Sequence, residues 1–331
     1  MQRSASRPRS AASGARSNTA TATTATASAP AGYVGRFAPS PTGPLHLGSL
    51  TTAVASYLEA RARAGRWLVR IDDLDQARGL AGMADEHLRT LEALGFQWDG
   101  PIRIQSRATG EYGEALERLR MLGRVYPCTC SRAEIAALRP RDPDTDEEEL
   151  HYPGLCRTGV LAPGRTAAQR FVAPDAPVSF VDRWQGTITE RVGSTCGDFI
   201  VRRRDSIIAY QLAVVVDDAA QGVTDVVRGS DLLMSTPRQL LLQEALGLPS
   251  PSYAHAPLVV AADGQKLAKS RHAVGVDEGA AARALVGALR LLGQPVAREL
   301  ARAGVTEVWA RAEAGWNPGS LQNMRSTRVP D

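Results

Sequence analysis

Between Tyr33 and Ala64 the sequence passes from a short apolar stretch, through a turn dense in Pro and Gly (Pro39 to Pro44), into a helical pattern that opens at His46. This passage constrains the fold more than any other. Pro fixes φ and removes an N–H, while Gly tolerates backbone that other residues avoid, so together they bend a chain sharply. A strand that ends in such an elbow and re-enters as a helix is the opening unit of a parallel α/β sheet. The unit recurs: Trp67–Ile71 reads as a buried strand, and Gly82–Leu94 and Thr109–Leu122 as helices. From about Tyr126 to Val192 the rhythm breaks into short β-like pieces, a Cys cluster and an acidic run at Asp142–Glu149, the mark of an insertion. Apolar runs at Phe199–Val201, Ala213–Val216 and Val223–Val227 then resume the strand pattern, with a helix at Pro237–Leu246 and a strand at Pro257–Val260. The expected architecture is a doubly wound, parallel α/β sheet interrupted by an insertion and followed by a short helical extension.

A chain of 331 residues, 44% hydrophobic and 22% charged, is long enough to bury one large domain or two ordinary ones. No stretch approaches the roughly 20 apolar residues that span a bilayer, so a cytoplasmic, membrane-free protein is expected. The net charge of +4 says little about partners. Residues 1–32 contain Arg3, Arg7, Arg9 and Arg16, no acid and almost nothing large and apolar, and are expected to be disordered. The remainder is balanced, so any nucleic-acid partner must be argued from motifs. Lys is far more informative. Of 39 Lys and Arg only two are Lys, Lys266 and Lys269, and both fall in KLAKS. Lys carries a compact point charge on a flexible stem where Arg offers a rigid fork, so this pairing points to a site that needs ammonium groups.

Four segments carry candidate chemistry. In RFAPSPTGPLHLGS (Arg36–Ser49) the elbow lies at a strand end and a helix N-terminus, where open α/β sheets bind ligands and helices favour phosphate. Gly43 and Gly48 permit a nucleotide to approach closely and His46 can donate to phosphate oxygens; taken alone, the same His would simply cap or pack the turn. WLVRIDDLD (Trp67–Asp75) is a core strand ending in an acidic turn. AYQLAVVVDDAAQGVTDVVRGSDLL (Ala209–Leu233) reads as β-rich core bearing Tyr210, Arg228, Asp217, Asp218 and Asp231. Arg36 and Arg228 carry planar forks of the kind that bind carboxylates bidentately. Finally, Cys128, Cys130 and Cys156 offer three thiolates without a secretory context, which favours a structural metal over disulfides. Physical chemistry nominates His151 as the fourth ligand, with Cys196 a more distant choice.

Taken in order, these strings resemble the class I aminoacyl-tRNA synthetases. RFAPSPTGPLHLGS is similar to their HIGH signature in its glutamyl form, with Ser49 replacing the second His; KLAKS, 220 residues beyond His46, resembles the KMSKS loop, with Ala268 replacing Ser. The resemblance implies a class I, Rossmann-type parallel sheet whose two halves hold ATP and Mg2+. His46, Lys266 and Lys269 would be catalytic, and His46, Gly48 and Lys269 would contact ATP. Glutamate would lie on Arg36, Phe37, Ala38, Pro39, Ser40, Asp72, Tyr210 and Arg228, with Asp72 in the place of the family's Glu. Cys-x-Cys followed by Tyr-x3-Cys resembles the truncated glutamyl-Q branch, which implies one structural zinc on Cys128, Cys130, Tyr152 and Cys156. The implied organisation is a leader (1–32), a first core half (33–125), a zinc-bearing insertion (126–194), a second core half ending in KLAKS (195–270) and a short helical extension (271–331). The 61 residues after Ser270 are too few for a helical anticodon-binding part. By resemblance, a monomer would activate glutamate without RNA and pass it to queuosine at the wobble position of tRNA(Asp). Ordinary charging of tRNA(Glu), another HIGH-type adenylyltransferase and an inactive RNA-binding relic are the alternatives.

Overall fold

The computed structural model describes residues 32–137, 151–159, 162–261 and 278–329. Both apolar runs flanking the first helix become strands, β1 (Val34–Phe37) and β2 (Arg66–Ile71), paired in parallel with Val34 opposite Arg66. A two-residue β3 (Arg103–Ile104) extends them on the far side of β2. Between β1 and β2 runs α1 (Leu47–Ala62), ten of whose sixteen residues are buried. A helix that is apolar nearly all round must be covered on every side, and α1 lies between the sheet and the C-terminal helices. The first half is completed by α2 (Met83–Ala93) and α3 (Thr109–Met121).

The chain then leaves the core as β4 (Val125–Cys128) and α4 (Arg132–Ala136), and returns through β5 (Ala168–Phe171), β6 (Val178–Asp182), β7 (Gly186–Glu190), α5 (Val192–Thr195) and β8 (Phe199–Arg202). Strands β4, β5 and β8 form a separate antiparallel sheet. The β6–β7 hairpin does not belong to it. It joins the second core sheet, ordered β7-β6-β10-β9, with β9 at Asp225–Gly229 and β10 at Ser252–Ala256. Strand pairing therefore interleaves segments on either side of residue 194. The two core sheets meet edge to edge, where the Thr224 amide donates to Val34 O (3.0 Å) and the Val34 amide to Thr224 Oγ1 (2.9 Å).

Two expectations are corrected. Ala213–Val216 is no strand but the middle of α6 (Tyr210–Ala220), in which every residue from Gln211 to Asp218 is buried. A run of β-branched residues reads as strand by propensity, yet complete burial overrides that preference. Val223–Val227 is shifted, the strand being β9. Downstream, α7 (Thr236–Leu246) matches its expected span. The last described stretch is more than a cap. After β11 (Leu258–Val260), α8 (Glu278–Leu291) and α9 (Val305–Gly315) enter the main core, with Trp309 4.7 Å from Tyr57 and 4.9 Å from Phe96 between ring centres. The final strand, β12 (Ser326–Arg328), pairs with β11. No helix among the described residues is long and apolar enough to cross a membrane. Residues 1–31 and the acidic run lie outside the described residues.

Candidate active site

A cleft of about 510 Å3 opens where the carboxyl ends of β1 and β9 meet. Its walls contain Arg36, Phe37, Ala38, Pro39, Ser40, His46, Asp72, Tyr210 and Arg228, so the structure gathers in one place nearly every residue singled out for glutamate or ATP. Gly48 is not on its wall. A Cβ there would come within 3.1 Å of the His46 ring, so Gly48 makes room for the imidazole. Lys266 and Lys269 lie outside the described residues.

The elbow is held rigidly by backbone groups. Asp72 N donates to Pro39 O (3.0 Å), Leu80 N to Pro41 O (2.9 Å) and Thr42 N to Ser40 O (2.8 Å). From α2, buried His87 reaches Gly43 O through Nε2 at 2.8 Å, a contact that no motif announced. His46 is the N-cap of α1: its Nδ1 accepts from the Ser49 amide at 3.3 Å, and its Nε2 lies 3.1 Å from Ser49 Oγ. With Nδ1 accepting, the neutral ring carries its proton on Nε2. The capping reading and the cleft-lining reading both hold.

Beneath the cleft lies a buried ionic cluster of three guanidiniums against three carboxylates. Arg36 Nε donates to Asp218 Oδ1 (3.2 Å), and Arg70 to Asp72 (2.7 Å) and Asp218 (2.6 Å). Asp217 accepts from Arg103 Nε, Gln105 Nε2 and Tyr112 Oη, each at 2.7 Å. Within the buried part the charges balance, and Arg103, at its rim, also pairs with the more exposed Glu111 at 2.8 Å. Burial works to raise the Asp218 carboxyl, but Arg36 and Arg70 outweigh it and hold Asp218 below the usual range. At Asp72 the balance falls the other way, and burial, only partly offset by Arg70, pushes the carboxyl up to about 6. Arg70 was missed by motif reading; a charge within the apolar run WLVRI is the signal that would have found it.

Arg228 differs from these three. It is 4% exposed and all five of its N–H groups have partners, none of them a carboxylate. Nε donates to His255 Nε2 (3.0 Å), Nη1 to Gln239 Oε1 (2.8 Å) and Tyr210 Oη (3.3 Å), and Nη2 to Thr236 Oγ1 (2.8 Å) and Leu232 O (3.3 Å). Among the described residues it makes no salt bridge. A desolvated, uncompensated guanidinium is costly by itself and stabilised by any anion that reaches it. Tyr210, whose oxygen accepts from Arg228, is the exposed member of this set and faces the cleft.

A second cluster lies in the β4–β5–β8 sheet region. The Sγ atoms of Cys128, Cys130 and Cys156 all lie within 4.8 Å of one another, with Cys130 and Cys156 at 3.6 Å. A tetrahedral ion with metal–sulfur bonds of about 2.3 Å holds its sulfurs about 3.8 Å apart, so these three fit one. The fourth corner is occupied by Tyr152 Oη, 3.2 Å from Cys128 Sγ and 3.5 Å from Cys130 Sγ. His151 turns away to Gly193 O (3.3 Å) and Cys196 to Gly197 O (3.3 Å). Backbone pairing turns Tyr152 rather than His151 towards the thiols: Tyr152 N donates to Cys196 O and Asp198 N to Tyr152 O. Gly197 (φ +70°) permits it, because a Cβ there would stand 2.0 Å from Tyr152 O. Buried Arg170 completes the cluster, with Nε 3.3 Å from Cys128 Sγ and its guanidinium 3.8 Å above the Tyr152 ring. A cation there would offset the surplus negative charge if three thiolates held a divalent ion. Burial meanwhile pushes the Cys130 thiol up to about 11, so without an ion it stays protonated.

Residues 33–314 match the family described as tRNA synthetases class I (E and Q), catalytic domain. Glutamyl-Q tRNA(Asp) synthetases of Geobacter sulfurreducens and Dechloromonas aromatica are 51% and 50% identical to this chain, over 87% and 90% of it and over 93% and 98% of their own lengths. Among solved structures, the glutamate tRNA ligase of Elizabethkingia meningosepticum CCUG26117 in complex with its amino acid superposes with a TM-score of 0.71 at 23% identity, covering 90% of this chain and 67% of that one. The glutamate-tRNA synthetase of Elizabethkingia anophelis gives 0.73 at 23% identity, over 90% and 68%. At that identity these two establish the fold alone, in agreement with the parallel α/β core. The chain is thus an enzyme of the class I aminoacyl-tRNA synthetases, and within them it belongs to the glutamyl-Q tRNA(Asp) synthetase family of ligases.

Proposed function

We propose that the cleft between β1 and β9 activates glutamate with ATP, without RNA, and then passes it to queuosine at the wobble position of tRNA(Asp). The observation that carries the activation step is the uncompensated guanidinium of Arg228 behind Tyr210, in a cleft whose other wall is an elbow leading into a helix N-terminus. An amino acid with two carboxylates supplies the missing negative charge. Tyr210 Oη, accepting from Arg228, has its own proton left to donate to a carboxylate. Asp72 takes the ammonium group, and Phe37, Ala38, Pro39 and Ser40 line the wall on the Arg36 side. An α-carboxylate oxygen attacks the α-phosphorus, and the bond from that phosphorus to pyrophosphate breaks. His46 donates from Nε2 to the α-phosphate, Lys266 and Lys269 draw off the pyrophosphate, and Mg2+ accompanies ATP. Such chemistry needs positioning and charge stabilisation more than acid–base groups. In the second step an acceptor hydroxyl attacks the acyl carbon and AMP departs. The acceptor is read from the names of relatives that share half of this sequence over nearly their whole lengths.

The transfer test uses labelled glutamate, ATP and three RNAs: queuosine-containing tRNA(Asp), queuosine-free tRNA(Asp) and tRNA(Glu). Acid-precipitable label on the first alone is the expected result; label on tRNA(Glu) overturns the acceptor assignment.

Asp72 gives the activation step a pH signature. Its carboxyl must be ionised to hold an ammonium group, and burial places its titration at about 6. Below that pH, kcat/KM for glutamate should fall roughly tenfold per unit. In Asp72→Asn the limb near pH 6 should vanish from an already lowered profile. A wild-type profile that stays flat down to pH 5 contradicts the assignment.

We further propose that Cys128, Cys130, Cys156 and Tyr152 hold one structural zinc. Elemental analysis should find one equivalent per chain. Tyr152→Phe should weaken retention against a chelator, while His151→Ala should leave it unchanged; the reverse pattern would move the fourth ligand to His151.

A further inference from the structure

The β6–β7 hairpin looked from sequence like part of the insertion, yet it threads back beside β10 and places Asp182 deep in the second core sheet. The Asp182 side chain is completely buried and is not among the residues that line the cleft. Its Oδ1 accepts three backbone amides, from Trp184 (3.0 Å), Gln185 (2.9 Å) and His255 (3.2 Å). Its Oδ2 receives His255 Nδ1 at 2.6 Å, and on the other edge of that ring Nε2 accepts from Arg228 Nε at 3.0 Å. Asp182, His255 and Arg228 thus form a line in which each hydrogen has one direction. Asp182 can only accept there, so His255 carries its proton on Nδ1. Nε2 is then left as an acceptor, and Arg228 Nε–H must point at it.

We propose that Asp182 and His255 are positioning residues for glutamate: they fix the imidazole tautomer that anchors the Nε edge of Arg228, and so aim its Nη1 edge at Tyr210 and the cleft. This rests on the reading of Arg228 as the glutamate-carboxylate cation. The arrangement explains a feature that the pocket alone does not. Arg228 needs a firm partner that leaves its charge uncancelled for the substrate. A carboxylate in direct contact would neutralise it; one placed behind a neutral imidazole orients the guanidinium and leaves the positive charge for an incoming anion. Burial, working against Asp182, brings the His255 ring down to about 4, which keeps it uncharged at neutral pH.

Asp182→Asn tests the idea with almost no change of shape. The amide oxygen keeps the three backbone donors, so the NH2 group faces His255 Nδ1 and donates to it. The ring must then carry its proton on Nε2, which confronts Arg228 Nε–H donor to donor. The expected result is a rise in KM for glutamate of roughly tenfold to a hundredfold, the cost of a broken hydrogen bond to a charged group. KM for ATP should stay within about threefold, an allowance for indirect effects well below that hydrogen-bond cost. Nitrogen-15 shifts of His255 should move from the Nδ1–H to the Nε2–H pattern. Arg228→Lys is the control for the pocket. If it raises KM for glutamate while Asp182→Asn does not, the positioning role is overturned and the pocket reading survives. If neither raises it, both fall. An equal rise for ATP and glutamate marks a merely structural effect and also overturns the proposal. Should Asp182→Asn fail to fold, His255→Gln, which retains a donor towards Asp182 and an acceptor towards Arg228, is compared with His255→Leu, which has neither. Similar glutamate KM values for the two overturn the proposal.

Discussion

Replacing Arg70 with methionine should lower the free energy of unfolding by about 3–5 kcal/mol, the range seen when one partner of a buried ion pair is removed. Arg70 sits at the centre of the ionic cluster, its side chain inaccessible to water, between Asp72 (2.7 Å), Asp218 (2.6 Å) and Asp217 (3.7 Å). Methionine fills most of its volume, so the loss reports charge and not a cavity. Three carboxylates would then face only Arg36 and Arg103. Proton uptake relieves part of this: without Arg70 the carboxyls of Asp72 and Asp218 titrate higher, at about 1.4 kcal/mol per unit of pKa. The deficit should therefore be larger at pH 8 than at pH 5.5, where the variant can neutralise a carboxylate at little cost. Adding Asp218→Asn should recover part of the loss. Urea denaturation at the two pH values measures this, and a deficit below about 1 kcal/mol at pH 8 contradicts the account.

His46→Ala should reduce pyrophosphate exchange by about 10²–10³, the effect of deleting one donor to a transition-state oxyanion. Because His46 also caps α1, the same change removes about 1 kcal/mol of helix stability. The two roles separate in His46→Ser. Serine is a good N-cap and should restore stability, but it is too short to reach the α-phosphate and should leave exchange as low as in the alanine variant. Recovery of exchange with serine would reduce His46 to a cap.

Those parts of the molecule that rest on local chemistry were legible in the sequence. The elbow of Pro39 to Pro44 announced strand, turn and helix because Pro and Gly act within a few residues of themselves, and the cleft formed around it as expected. The thiol spacing announced the gathering of Cys128, Cys130 and Cys156, yet did not say which of adjacent His151 and Tyr152 would face them. That choice depends on a bridge to Gly197, forty-five residues away in the chain. Ala213–Val216 misled because side-chain branching is a weaker influence than burial on every side. Asp182 and His255 were invisible for a different reason: they lie 73 residues apart and meet only because β6 runs beside β10. Arg70 was visible as a charge inside an apolar strand, and two of the three carboxylates that make it tolerable come from α6, which the strand reading of that segment had concealed.

On the proposed reading, one cleft holds glutamate and ATP together and joins them before any RNA arrives. Exchange of labelled pyrophosphate into ATP, measured with glutamate, glutamine or aspartate and with no RNA present, tests it most directly. The account predicts exchange with glutamate alone, abolished in Arg228→Ala; absence of glutamate-dependent exchange without RNA, or equal exchange with glutamine, would contradict it.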